Sequence, residues 1–143
     1  MAITLPAEAG DWIDELGRRL NDNEAFAAAA DGWGVEFDGD FVFEIQPDDS
    51  YDGEPITLYL ALRDGECLDT DRLADPTDVA HGFALRGGYT EWKRLIRGET
   101  DVVEAVMTGT LDVEGSRMQA MRYQDALLEL GATATDIDTD FEH

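Results

Sequence analysis

Residues 82–123 read GFALRGGYTEWKRLIRGETDVVEAVMTGTLDVEGSRMQAMRY, and the order of apolar spacings along them decides the fold. Apolar residues first alternate, as Phe83 and Leu85 do, then recur at helical period twice, alternate again at Leu111 and Val113, and enter a further helix. The predicted order is strand, helix, helix, strand, helix. In the first helix Thr90 is placed to cap, Glu91 falls in the first turn, Arg94 and Arg97 in the last, and Gly98 ends the run. Trp92, Leu95 and Ile96 then share one face, which has to be buried. Asp101 caps a second short helix, with Glu104 positioned for a capping box and Val102, Val103, Val106 and Met107 as its apolar content. Gly109 releases the chain into a strand over 110–114, Gly115 turns it, and Ser116 caps a helix carrying Met118, Ala120, Met121, Tyr123, Leu127, Leu128 and Leu130.

Upstream, residues 1–10 read as a loose lead broken by Pro6 and Gly10. Asp11 caps a helix in which Trp12, Ile13, Leu16 and Leu20 form a core face, continued by the alanines of 25–30 and ended at Gly32 and Gly34. Val35 and Phe37, an Asp38-Gly39 turn and the run 41–46 predict a hairpin, with Phe41, Phe43 and Ile45 facing inward. After an acidic loop over 47–55, Ile56, Leu58, Leu60 and Leu62 line one side of the clearest strand. The Asp64-Gly65 turn leads into a short strand at Glu66-Cys67-Leu68, and 69–82 is a polar loop with one helical turn near Asp75-Pro76. Beyond Gly131 the tail ATATDIDTDFEH is too polar to build a core, which predicts a frayed or surface-laid end. The expected organisation is therefore a lead (1–10), one domain (11–130) and an acidic tail (131–143). Its fold class is α+β, a single five-stranded, mostly antiparallel sheet with one face covered by helices.

The run GGYTEWKRLIRGETDVVEAVMTGTLDVEGSRMQAM resembles the SCP2 (sterol carrier protein 2-like) family of lipid-binding domains. In that family an aromatic-containing helix ends in Gly, a short helix leads to G-x-L-x-V-x-G, and a helix follows. Here those marks are Trp92, Gly98, Gly109, Leu111, Val113 and Gly115, and the runs 41–45 and 56–60 stand where the family places its first long strands. The resemblance spans roughly residues 11–130. It departs at Ser116, where many relatives carry an acidic residue, although Ser also caps a helix. The resemblance implies a non-enzymatic carrier that holds a fatty acyl, isoprenoid or sterol-like molecule in a tunnel between sheet and helices. Around that tunnel it places Phe43, Leu60, Phe83, Leu85, Trp92, Ile96 and Val106. Met107, Met118 and Met121 join them, because flexible thioethers line adaptable surfaces. Periodicity alone reads the same stripe as ordinary core, and the alternative is an accessory or interaction domain, or an enzyme, with a filled core and no lipid ligand.

Composition bounds the partners. The 143 residues hold 33 acidic against 10 basic side chains, a net charge of −23, and Lys93 is the single lysine. Nucleic acid is disfavoured, since phosphate binding needs clustered Lys and Arg, and so is attraction to anionic headgroups. An acidic, lysine-poor, clearly periodic chain resembles cytoplasmic proteins of extreme halophiles, where salt screens self-repulsion. No run approaches a membrane span, so stable membrane insertion is not expected, and the N-terminus lacks the features of a signal peptide. Nothing in the sequence sets the oligomeric state. Cys67 stands alone, which leaves no intrachain disulfide. His81 and His143 have no neighbour that makes a metal pair or a nucleophile–base pair. Asp69, Asp71, Asp75 and Asp78 lack the Gly and terminal Glu of a calcium loop, and Gly87-Gly88 lacks the third glycine of a dinucleotide site. No catalytic residue, cofactor or metal is assigned.

Overall fold

The computed structural model describes residues 2–143. Strand β1 (Ile3–Leu5) precedes helices α1 (Ala9–Asn21) and α2 (Glu24–Ala29); strands β2 (Phe41–Gln46), β3 (Ile56–Arg63) and β4 (Glu66–Leu73) follow. Strand β5 (Phe83–Gly88) runs straight into α3 (Tyr89–Ile96), then come α4 (Val102–Thr108), β6 (Asp112–Glu114), α5 (Arg117–Arg122), α6 (Gln124–Thr135) and β7 (Thr139–Phe141). The main sheet has the order β4-β3-β2-β5-β6.

That sheet is mixed. Its central pair, β2 and β5, is parallel, setting Phe41 opposite Phe83 and Phe43 opposite Leu85, while the other neighbours are antiparallel. The expectation of one mostly antiparallel sheet is corrected further by a second, two-stranded parallel sheet of β1 and β7. Ile3–Leu5, in the expected loose lead, thus pairs with Thr139–Phe141, in the tail expected to be frayed or laid on the surface; position 1 lies outside the described residues. Leu5 and Ile137 are buried there, and the Trp12 indole donates to Thr139 Oγ1 at 3.2 Å.

The inner face carries Phe41, Phe43, Ile45, Leu58, Leu60, Phe83 and Leu85, all buried in one core with α1, α3, α4 and α6. Its outer face is different. Val42, Ala84 and Tyr59 stand side by side, and the Arg86 guanidinium reaches Glu44 at 2.8 Å and Glu114 at 3.4 Å. Val42 and Ala84 are buried on this face, and the Arg86–Glu44 pair beside them is only partly exposed, a setting in which a guanidinium holds two carboxylates at once.

Local chemistry explains most helix boundaries. Asp101 accepts from the Glu104 N–H at 2.8 Å and Ser116 from the Gln119 N–H at 3.2 Å, both as expected of N-caps. Gly109 at φ +81° and Gly115 at φ +114° occupy conformations that side chains resist, which accounts for the two glycines flanking β6. Thr90 is not the cap of α3. The helix begins after Gly88, and Asp48 from the acidic loop accepts from the Thr90 N–H at 2.8 Å. The helix predicted from Ser116 onward breaks at Tyr123 into α5 and α6.

Two further differences have physical causes. No strand forms at Val35–Phe37, because Trp33 turns inward and its Nε1 donates to the Gly39 carbonyl at 2.8 Å, closing the loop where a hairpin was expected. The loop predicted from Asp69 is strand as far as Leu73. Helix α1 lies against that strand so closely that a side chain at Gly17 would meet Cys67 Sγ at 2.8 Å.

Candidate functional site

An apolar cleft of about 170 Å³ opens between the sheet and α4, α5 and α6. Its floor is Phe41, Phe83 and Leu85 from the two parallel central strands, with Val113 from β6. Val102, Val106 and Met107 form one wall from α4, and Ala120 and Met121 form the other from α5. Leu127 of α6 closes the top, and Arg117 of α5 completes the lining. The polarity follows from position: strand residues of one parity point inward, and α4 presents valines on the same side.

Of the ten residues expected around a tunnel, Phe83, Leu85, Val106, Met107 and Met121 line this cleft. Phe43, Trp92 and Ile96 surround a separate internal void of about 20 Å³, where α1, α3, α4 and α6 converge. Leu85 and Val102 belong to both linings and stand between the two spaces. Trp92 also donates its indole N–H to the Glu44 carbonyl at 3.0 Å, which fixes α3 to the sheet. Leu60 is fully buried and Met118 is 76% exposed, and neither lines the cleft or this void.

The sequence reading did not assign Phe41, Val102, Val113, Arg117, Ala120 or Leu127 to the site. Their alternation and helical spacing mark the first three as core, but spacing does not distinguish a cavity wall from a packed interior. Trp33 was not anticipated either. It stacks on Phe41 with ring centroids 5.6 Å apart, lies 5.0 Å from Phe83, and meets Phe37 and Tyr123 edge-on. This aromatic cluster backs the cleft floor and limits its depth.

Apart from Arg117, the titratable groups lie away from this cleft. Burial pushes the Cys67 thiol up to about 11, and the thiol contacts the Asp69 carbonyl at 3.6 Å. Asp40, raised by burial, accepts from the Tyr59 hydroxyl at 2.9 Å and the Leu62 N–H at 3.2 Å, tying the start of β2 to β3. His81 Nδ1 lies 3.1 Å from the Val79 carbonyl within its own loop. Among the described residues no three His, Cys, Asp or Glu side chains converge as a metal cage, and no helix is long and apolar enough to cross a membrane.

Residues 35–128 match the SCP-2 sterol transfer family. Comparison with curated protein sequences yields no match. Among solved structures, the chain is similar to a crystal structure of sterol carrier protein 2, with a TM-score of 0.78 and 22% identity over 90% of this chain and 96% of that one. It is similar also to a conserved hypothetical protein from Thermus thermophilus described as possibly a sterol carrier protein, at TM-score 0.76, 22% identity, and 91% and 88% coverage. Sterol carrier protein 2 from Yarrowia lipolytica in its apo form aligns at TM-score 0.55 and 20% identity, covering 87% and 89%. At these identities the likeness is one of fold.

Proposed function

The chain belongs to the SCP-2 sterol transfer family, which points to binding or transfer of lipid, and from that premise we propose that it is a non-enzymatic carrier whose ligand tail occupies the cleft between β5 and α5. The observation that carries this reading is the cleft itself: an open space lined by Phe41, Phe83, Leu85, Val106 and Met121, with no polar anchor at its floor. Binding rests on removing hydrocarbon from water, at about 0.8 kcal/mol for each buried methylene.

Size limits what enters first. A cavity of about 150 Å³ accepts a single benzene ring, so a space of about 170 Å³ suits the end of an acyl or isoprenoid chain rather than a whole sterol. A longer guest needs the wall to yield. Helix α5 is the wall most able to do so, since it has six residues, buries only Ala120 and ends in a break. Deeper room lies past Leu85 and Val102, toward the void beside Phe43 and Trp92.

The test is delipidation, then titration with a dansyl-labelled fatty acid and displacement by saturated acids of increasing length. Saturable one-site binding is expected, with affinity rising about fourfold per methylene until the tail fills the cleft and then levelling off. Met121→Trp fills the cleft from its exposed rim and is expected to lower affinity at least tenfold with an unchanged circular dichroism spectrum. Absence of saturable binding, or uptake unaffected by that substitution, would remove the cleft as the binding site.

The small internal void favours a second reading, an interaction module whose core is filled by its own side chains. It predicts no chain-length dependence in the same titration.

A further inference from the structure

Of the eleven residues lining the cleft, Arg117 alone carries a charge. Its setting is unusual for this chain, in which acidic residues outnumber basic ones 33 to 10. Arg18, Arg19, Arg86 and Arg94 are engaged with glutamates, and Lys93 and Arg97 lie over the Phe141 ring. Among the described residues Arg117 has no carboxylate in ion-pair contact; Arg63, Arg72, Arg97 and Arg122 share that condition, but none of them lines the cleft. The position suits an amphipathic side chain, whose methylene stem covers apolar wall while its charged head stays in water. Exposed Met107, 76% accessible, belongs to the same lining and continues the apolar surface outward.

Resting on the carrier reading above, we infer that Arg117 is a specificity-determining residue of the cleft, which favours a single-chain amphiphile with an anionic head over a neutral one of the same length. The tail lies on Phe83, Leu85 and Val106, and the head is left at solvent, where the Arg117 guanidinium donates to a carboxylate or phosphate oxygen. Guanidinium matches such oxygens in a two-pronged geometry that an ammonium lacks. The pairing counters the repulsion that a chain of net charge −23 exerts on any anion. A neutral alcohol or a sterol hydroxyl gains nothing comparable from Arg117.

The experiment compares decanoic acid with decan-1-ol by calorimetry on delipidated protein, in low salt and in about 1 M KCl. The wild type is expected to prefer decanoate by about 1.5-fold to fivefold in low salt, the range of a solvent-exposed ion pair, and to lose most of that preference at high salt. Arg117→Gln is expected to abolish the preference by lowering decanoate affinity more than decanol affinity, and Arg117→Lys to restore part of it. Arg122→Gln makes the same charge change at the other end of α5 and is expected to behave as wild type. Equal binding of the two compounds by the wild type, or an equal loss for both in Arg117→Gln, overturns the headgroup inference while leaving the cleft intact. Failure of both compounds to bind overturns the carrier reading, and the inference with it.

Discussion

Asp48 shows how one acidic residue in a loop can hold two elements together. Its Oδ2 accepts from the Thr90 N–H at 2.8 Å, and its Oδ1 accepts from the Ser50 and Tyr51 N–H groups at 2.9 and 3.1 Å. Burial acts to raise its pKa, but these backbone donors outweigh it and hold the carboxyl below its usual value. A depressed acid contributes stability that is present above its unfolded pKa and lost as pH falls through the lower folded one. Asp48→Ala should therefore cost about 1 kcal/mol at pH 7, the usual scale for a lost cap. The difference from wild type, followed by urea unfolding, should shrink between about pH 5 and pH 3; a difference that is equal at both ends would assign the loss to something other than the charged cap. The cap was not legible because Asp48 and Thr90 are distant in sequence, and Thr90 itself offered a local candidate. Asp101 and Ser116, which cap their own helices from the preceding residue, were legible for the opposite reason.

At the scale of elements, the parallel pair β1 and β7 has the strongest claim to a role that composition hides. Ile3 pairs with Thr139 and Leu5 with Phe141, the Glu142 N–H donates to the Leu5 carbonyl at 2.9 Å, and the Tyr89 hydroxyl reaches that same carbonyl at 3.1 Å. Removing residues 137–143 should cost at least about 3 kcal/mol, because it uncovers Leu5 and Trp12 and deletes Ile137, the equivalent of a large-to-small core change. Thermal unfolding of the truncated chain checks this, and a midpoint within about 2 °C of the full chain would mean that the clasp is ornamental. The tail reads as solvent-facing because Ile137 and Phe141 are the only large apolar residues among its acids, and a parallel partner at the far end of the chain leaves no local turn signal. The opposite error occurs at Asp38-Gly39. Alternation on both sides of that pair satisfies a hairpin rule, yet Trp33 competes for the inner face and takes the Gly39 carbonyl. Cleft and core were inseparable for a related reason: Phe43 and Phe83 have the same spacing signal, and only the break of the last helix at Tyr123 leaves space over one and not the other.

For the whole molecule, the decisive quantity is charge. With a net charge of −23, most carboxylates have no cation to pair with, and the ion pairs that form include the helix-local pair of Glu91 with Arg94 and the Arg86 cluster, which joins three strands. Mutual repulsion of the remainder opposes compaction, and its reach depends on salt: a Debye length of about 10 Å at 0.1 M falls to about 3 Å at 1 M. We therefore expect the urea midpoint to rise steeply as KCl increases from about 0.05 to about 2 M, the behaviour of a protein adapted to concentrated salt. Chloride salts are the appropriate probe, since sulfate strengthens apolar burial in any protein. A control domain of this fold with near-zero net charge should respond weakly, and an equal response from both would detach the acidic surface from salt adaptation. Ligand binding supplies a second, opposing readout in the same titration. Decanol uptake rests on hydrocarbon burial and should hold or strengthen as salt rises, whereas the decanoate preference assigned to Arg117 should fade while the fold becomes firmer. The two curves crossing in that sense would separate the electrostatics of the surface from the electrostatics of the cleft mouth.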